Sequence, residues 1–469
     1  MNYLMMSKLR SKACFLVAFV LVFAFVLMPL PFNVSVNAQE MKTDKAAMPT
    51  NTASRSEASM KDLETIVGDS ALVNFGESSH FMKGLHSFAT SAFRHLAEKK
   101  GFRVFVLESA WGVDEATQEF FKSDRTAITS DEGFFLNAFG SKETIELLIW
   151  IREFNRQHPN DQIRVAGYQP EQPVTDFKAL WAFAGKSKNF ASADLKSKTA
   201  VCKASTGEFK TNIEFIGFTV KQRRAGQPSY TTEERAACLK GIDEVESFIE
   251  QNKKELIAKN SLNAYRETQP HLKSLKTYIG TLSRYGDEFT LNKNMTKEQE
   301  LAWSHEVYET GDKARFEIFQ VLRETRYKGK KMMLWMHNWH AAERSDEIEF
   351  AGQGGIPKGT ISLGTRLART YGNKLITIGS IVPCPSCKFP ERDDGFAPKF
   401  AAVFGQGSAL IDLRSNLRSK LAPQSSNLKL DSPGSIIQQF HQSHLIVSDL
   451  SRQFDAIYYL SESNRTSTK

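Results

Sequence analysis

Five stretches of this chain are apolar on nearly consecutive positions and rich in β-branched or aromatic residues: ALVNFG (71–76), RVFVLE (103–108), IRVAGY (163–168), KMMLWM (331–336) and KLITIGSIV (374–382). Short runs without alternation fit strands buried on both faces, as in a parallel sheet. Between them the period changes. GLHSFATSAFRHLAEKK (84–100) and SKETIELLIWIREFNRQ (141–157) place apolar residues three and four apart, so each predicts an amphipathic helix. Ser141 stands where an N-cap belongs, and Glu143 lies in the first turn, where the helix dipole favours an acid. Strand followed by helix, repeated, predicts an α/β fold: a parallel-sheet core covered by helices.

From about 185 to 325 the strand signal disappears. Thr231 with Glu234 and Thr296 with Gln299 have capping-box spacing, and LAWSHEVYETGDKARFEIFQVLRET (301–325) continues as one long amphipathic helix. This predicts an inserted helical subdomain, 185–325, between two parts of the core, 61–184 and 326–469. The second part ends in a C-terminal extension in which SALIDLRS and FDAIYYLSES look like further strands completing the sheet. FHQSHL carries His441 and His444 without a strand to present them, so that pair reads as surface or core. CPSCKFPERDDGFAPKF (384–400), rich in turn formers, reads as a loop near the crevice and a candidate substrate gate.

The N-terminus has another character. Lys8, Arg10 and Lys12 precede an uncharged apolar run from Ala13 to Met28; Pro29 and Pro31 break it, and Val36-Asn37-Ala38 offers small residues for cleavage. The run is shorter than the roughly 20 residues that cross a bilayer. Residues 1–38 therefore read as an export signal, with an uncleaved anchor as the alternative, and 39–60 as a flexible leader too polar to bury itself. An exported chain, periplasmic or secreted, follows, with no stable membrane insertion after cleavage. Removing three basic residues takes the formal charge from +8 to +5, and the basic runs are short, so nothing points to nucleic acid. Of five cysteines, Cys202, Cys238, Cys384 and Cys387 remain beyond the signal. In an oxidising compartment they predict two disulfides, Cys202 with Cys238 and Cys384 with Cys387, the favoured one of three pairings.

In an open parallel sheet the binding crevice lies beyond the carboxyl ends of the strands. The residues there are chemical: GESSH brings Glu77 and His80, the second strand ends on Glu108, the third runs into GYQPE with Gln169, and KMMLWM delivers His337 and His340. A single histidine on an apolar face is usually a satisfied core residue. Carboxylates and imidazoles aimed at one rim by separate strands predict an active site.

These residues also carry a resemblance. LVNFGESSHFMKGLHSFATSAFRHLAEKKGFRVFVLESAW, IRVAGYQP, MLWMHNWHAAE and SLGTRLARTYGNKLITIGSIV occur in the order and approximate spacing of the erythromycin esterase family, from about 65 to 382. The family's Gly-Glu-x-x-His falls on Gly76, Glu77 and His80, its strand-ending glutamate on Glu108, and its His-Asn-x-His on His337, Asn338 and His340. The resemblance implies a hydrolase that opens carboxylic esters or macrolactones with an activated water, without metal or cofactor. His80 would be the general base, Glu77 or Glu108 would hold its tautomer, and His337 and His340 would donate to the oxyanion or position the water. No G-x-S-x-G nucleophile turn occurs, in keeping with this. Phe81, Trp111, Trp335 and Trp339 would wall a pocket for a bulky small-molecule substrate, with Gln169 and Asn338 beside them; for the aromatics core packing, and for Asn338 bracing of the loop, are the alternatives. Phe81, Lys83-Gly84, Gln169 and Gly311 depart from the family pattern. Ester hydrolysis is thus a firmer expectation than erythromycin as the substrate.

Two other readings use the same residues. Glu77, His80, Glu108, His337 and His340 are ligand types suited to zinc or manganese, which would make a metal-dependent hydrolase or protease. A non-catalytic exported binding protein on this scaffold is the third reading.

Overall fold

The structure is a computed structural model that describes residues 60–461 apart from 81, 130–135, 137–138, 293, 353–354, 384–394, 415–432 and 439–442. The expected signal, all of the expected leader but Met60, Phe81, the Cys384–Cys387 pair, most of the expected gate and His441 lie outside the described residues.

The expected strands form β1 (Leu72–Glu77), β2 (Phe102–Ala110), β3 (Arg164–Gln169), β4 (Lys331–His337) and β6 (Leu375–Ile381). With β7 (Ser408–Asp412) and β10 (Ala456–Leu460) they make a seven-stranded sheet in the order β3-β2-β4-β1-β6-β10-β7. All neighbours are parallel except β10 and β7. The two strands expected in the C-terminal extension thus complete the sheet. β5 (Glu349–Gly352), β8 (Gly434–Gln438) and β9 (Ser443–Val447) form a small antiparallel sheet in the order β5-β9-β8. His444, expected without a strand, sits buried on β9: SHLIV pairs with both neighbours, so the residue is part of a ladder.

The uninterrupted apolar runs are explained by what covers the sheet. Met333 and Trp335 of β4 pack into one core with Val73, Phe75 and the Lys83–Lys100 helix, while Met332, Leu334 and Met336 enter the core on the other face. Every second residue of the same strand serves a different layer. The Lys83–Lys100 helix stops at Gly101, whose φ of 72° is open to glycine and whose N–H closes on the Leu96 carbonyl.

Between β3 and β4 the regular elements among the described residues are helices. They include Pro173–Ala184, Asn212–Arg224, Thr232–Gln251, Leu262–Thr277 and Lys297–Glu324, with the capping boxes at Thr231/Glu234 and Thr296/Gln299 in place and a third at Thr211/Glu214. Val174, Phe177 and Leu180 share a core with Phe215, Ile242 and Leu275, so the helical unit draws in the helix ahead of the expected boundary at 185. Cys202 and Cys238, both fully buried, form the expected disulfide within it. The 28-residue Lys297–Glu324 helix joins the layers: Ile318, Phe319 and Leu322 at its far end pack into the sheet core.

Candidate active site

β4 lies between β2 and β1, and Glu77 is in register with His337 at the last position of each strand; β2 runs two residues past Glu108, expected as its end, to Ala110. The β2–β3 pairing shifts register between Leu107 and Ala110, which bends β2 where Glu108 sits. Past β4 the chain turns at once into the one-turn helix Asn338–Ala341, which carries His340. Glu77, His80, Glu108, His337 and His340 are all buried.

Glu108 is the hub. Its Oε2 accepts the backbone N–H of His337 at 3.0 Å and lies 3.2 Å from His337 Nδ1 and 4.0 Å from His80 Nε2; its Oε1 lies 3.4 Å from His340 Nε2. His80 Nδ1 is in close contact with Glu77 Oε1, and the His80 and His337 rings lie against each other, tilted by 52° with centroids 3.6 Å apart. His340 Nδ1 lies 2.8 Å from Asp312 Oδ2, which also accepts the Leu363 N–H at 2.7 Å, and Arg315 donates to Asp312 Oδ1. The structure therefore brings together the five residues expected from sequence and adds Asp312 and Arg315 from the helical unit.

Burial sets most protonation states. It pushes the Glu77 carboxyl up to about 7 and both His80 and His337 down to about 4, because a charge in this pocket loses its hydration. Burial acts upward on Glu108 and Asp312 too, but the electrostatic pull of the neighbouring rings and guanidinium overrides it, His340 and His337 with its hydrogen bond for Glu108, and His340 and Arg315 for Asp312, and holds both carboxyls below the usual range. The cluster at neutral pH holds neutral His80 and His337 imidazoles beside an ionised Glu108. That is a set suited to taking a proton from water.

One ligand atom each from His80, Glu108 and His337 lie within 4.8 Å of one another, which is close enough for a shared cation. Two imidazoles and a carboxylate are an acceptable donor set for zinc or manganese.

The expected substrate contacts are placed unevenly. Asn338 is turned into the fold: its Nδ2 donates to the Ser380 carbonyl at 2.8 Å and its Oδ1 accepts the Ser380 N–H at 3.0 Å, which makes it a brace of the loop. Trp111 is 1% exposed and its indole N–H donates to Asp176 at 3.2 Å, so it joins the sheet to the helical unit. Trp335 packs in the core against His86, Phe105 and Phe139. Trp339 borders the cluster, its ring 5.0 Å from that of His340 and 5.3 Å from that of Tyr308, and Gln169 is buried at the end of β3. A cavity of about 590 Å³ lies at the opposite end of β1 and β4, beside Ala71 and Lys330, and holds none of the clustered groups.

Sequence reasoning passed over Asp312 and Arg315 as functional residues, and His86, whose Nε2 lies 2.5 Å from the His80 carbonyl oxygen and whose Nδ1 lies 2.8 Å from Ser141 Oγ. A usable signal existed for the first pair. Asp312 and Arg315 follow Tyr308 and precede Phe319 at helical spacing, placing charges on the buried stripe of an amphipathic helix.

A mainly parallel sheet covered by helices, with a buried histidine–carboxylate cluster at its strand ends, defines an α/β protein with a candidate active site. The chain belongs to the erythromycin esterase family, which its residues 97–463 match. It is similar to an erythromycin esterase type II of Escherichia coli, 31% identical over 98 residues, 20% of this chain and 23% of that protein, so the alignment spans under a quarter of the relative. Among solved structures it resembles a Bacillus cereus protein (TM-score 0.64, 18% identity, 87% of this chain and 93% of that one). It also resembles a mutant of the erythromycin esterase EreC in its open conformation (0.59, 15%, 87% and 94%) and a succinoglycan biosynthesis protein (0.61, 14%, 90% and 100%). At these identities the likeness establishes the fold.

Proposed function

We propose that this chain is an exported hydrolase that cleaves a carboxylic ester or macrolactone with a water activated by His80, without a cofactor. One observation carries the reading: His80 is held at Nδ1 by Glu77 while its Nε2 faces Glu108 across 4.0 Å, a gap in which a water would meet both. With Glu77 ionised, Nδ1 carries the proton and Nε2 offers its lone pair to that water. The tilted His337 ring packs against the base and His340 stands across Glu108, where each serves the developing oxyanion. The N-terminal pattern and the Cys202–Cys238 disulfide support export. Among the described residues no helix is long and apolar enough to cross a membrane.

The test is hydrolysis of aryl esters and macrolactones by the purified mature chain, with and without chelator, beside His80→Ala. We expect turnover that survives chelation and falls about 10²- to 10⁴-fold in the variant. Chelator-sensitive turnover with bound metal would instead favour a metal hydrolase, the reading to which the His80, Glu108 and His337 ligand geometry lends support. Ligand binding without turnover would favour a non-catalytic binding protein.

A further inference from the structure

Two carboxylate–imidazole pairs converge on Glu108 from different parts of the fold. Glu77 and His80 come from the end of β1; Asp312 and His340 come from the helical unit and the turn after β4. Their surroundings differ. His80 has Glu77 in close contact at Nδ1, and Glu108 Oε2 lies 4.0 Å from its Nε2. His340 has a carboxylate on each ring nitrogen, Asp312 Oδ2 at 2.8 Å from Nδ1 and Glu108 Oε1 at 3.4 Å from Nε2.

We propose that His340, with a carboxylate oxygen facing each of its ring nitrogens, is the acid of this site that delivers an Nε2 proton to the departing alcohol, and that Asp312 is the residue that positions it. The proposal rests on the hydrolytic reading above and extends it. Asp312 cannot readily surrender its place, because Leu363 N–H and Arg315 are bound to the same carboxylate. Asp312 and Glu108 face the two nitrogens of His340, Arg315 stands behind Asp312, the rings of Tyr308 and His337 are each 6.3 Å away, and His80 on the far side of Glu108 is close enough for the two imidazoles to oppose each other's charge. The base thus comes from the sheet, and the acid is set by a helix of the insert. Productive geometry then requires the Lys297–Glu324 helix to be docked.

The steps balance. His80 Nε2 takes a proton from water as the water oxygen bonds to the acyl carbon, and the carbonyl electron pair moves to oxygen. That pair returns, the acyl–oxygen bond breaks with its electrons on the leaving alkoxide, and the alkoxide takes the Nε2 proton of His340. The products are the acid and the alcohol. The proton on His80 returns to His340 across Glu108, whose two oxygens face the two rings at 4.0 and 3.4 Å.

Leaving-group dependence tests this, because a nitrophenolate leaves without protonation and an ethoxide does not. Rates would be measured for the p-nitrophenyl and ethyl esters of one acid with wild type, His80→Ala, His340→Gln and Asp312→Asn. We expect His340→Gln to lose about 10²-fold or more on the ethyl ester but only about threefold on the aryl ester, with Asp312→Asn in the same direction and His80→Ala low on both. Equal losses on both esters in folded His340→Gln would overturn the proposal, assigning the residue to structure or the oxyanion. Full activity of His80→Ala would overturn the base assignment alone. A second measurement does not need turnover: ¹⁵N spectra at neutral pH should show hydrogen on both ring nitrogens of His340 in wild type and on one in Asp312→Asn. A singly protonated His340 in wild type would overturn the proposal even if esters are hydrolysed.

Discussion

Asn338 and Ser380 hold one another through both atoms of the Asn338 amide: Nδ2 donates to the Ser380 carbonyl at 2.8 Å and Oδ1 accepts the Ser380 N–H at 3.0 Å. Ser380 Oγ in turn accepts the Ser78 N–H at 3.0 Å, so the ends of β1, β4 and β6 are tied where the catalytic loop begins. The clasp lies between His337 and His340 in sequence and fixes the turn that carries both.

Asn338→Ala should therefore strand a buried backbone N–H and carbonyl, with a stability loss of roughly 2–4 kcal/mol. Under the proposed hydrolysis, in which these imidazoles act on the reacting atoms, the same change should lower kcat more than it raises KM. Gly76 tests the clasp from the other side, since a Cβ there would come within 2.8 Å of Asn338 Oδ1. Denaturant unfolding and steady-state kinetics of Asn338→Ala and Gly76→Ala measure both effects. Unchanged stability in both would mean that the clasp does not hold the loop.

The pH dependence of hydrolysis should belong to Glu77. His80, pushed down to about 4, is neutral throughout the useful range, while Glu77 is pushed up to about 7 by burial. Below that value Glu77 carries the proton and donates to Nδ1, which leaves the hydrogen of the neutral ring on Nε2 and no lone pair for water. Above it Glu77 accepts from Nδ1–H and the ring's lone pair is on Nε2, where it acts on water. The rate should rise about tenfold per pH unit below pH 7 and level off above it. Glu77→Gln, which keeps an acceptor but cannot ionise, should erase that limb. A kcat/KM profile in which the variant keeps the wild-type limb would reassign the ionisation.

Legibility from sequence followed the physics of each feature. The core strands were readable because both faces are covered, which forces continuous apolar runs such as KMMLWM. The cluster was readable because a parallel sheet places function at its strand ends, so Glu77, Glu108 and His337 needed only the strand boundaries. The buried stripe of their helix marked Asp312 and Arg315 as unusual, but their pairing with His340 was hidden, because it depends on how a helix far from β2 in sequence rotates about its axis when it docks. The directions of Trp111 and Asn338 were also hidden. They depend on local chain turns, and an aromatic or amide at a strand end looks the same whether it faces substrate or core. The small sheet of β5, β8 and β9 escaped because strands of four or five residues carry too little pattern to distinguish from loop.

A second buried acid pair should govern stability. Glu343 follows the turn that carries His340 and faces Asp455 just ahead of β10; burial raises both, with the charge of Asp455 adding to it for Glu343, which reaches about 7, and that of Asp412 adding to it for Asp455. Asp455 also closes on Thr377, accepting its N–H at 2.9 Å and donating its own N–H to the Thr377 carbonyl at 2.8 Å. A carboxyl whose folded value lies above its unfolded one binds more protons folded than unfolded, so stability falls as pH rises from about 4.5 to about 7 and then levels off. Glu343→Gln should remove this fall and unfold at a higher temperature than wild type at pH 8, with the difference vanishing near pH 4. Thermal midpoints across that range decide it. A variant curve parallel to wild type would show that the pair does not share a proton.

The Cys202–Cys238 disulfide should stabilise the helical unit selectively. It joins the short turn Ala200–Cys202 to the Thr232–Gln251 helix, and Tyr230 donates its hydroxyl to the Cys202 carbonyl at 2.7 Å beside it. Closing a loop across 36 positions limits the unfolded chain by about 4 kcal/mol in the entropic account. Replacing both cysteines by alanine should therefore lower the unfolding midpoint. In hydrogen exchange the Asn212–Arg224 and Thr232–Gln251 helices should open first while β1 and β4 stay protected. Because Asp312 reaches His340 from the last helix of the same unit, the variant should also lose hydrolysis at temperatures where the sheet is intact. Loss of protection spread evenly over sheet and helices would refute this uncoupling, and free thiols at both positions in unreduced, denatured protein would remove the cross-link itself.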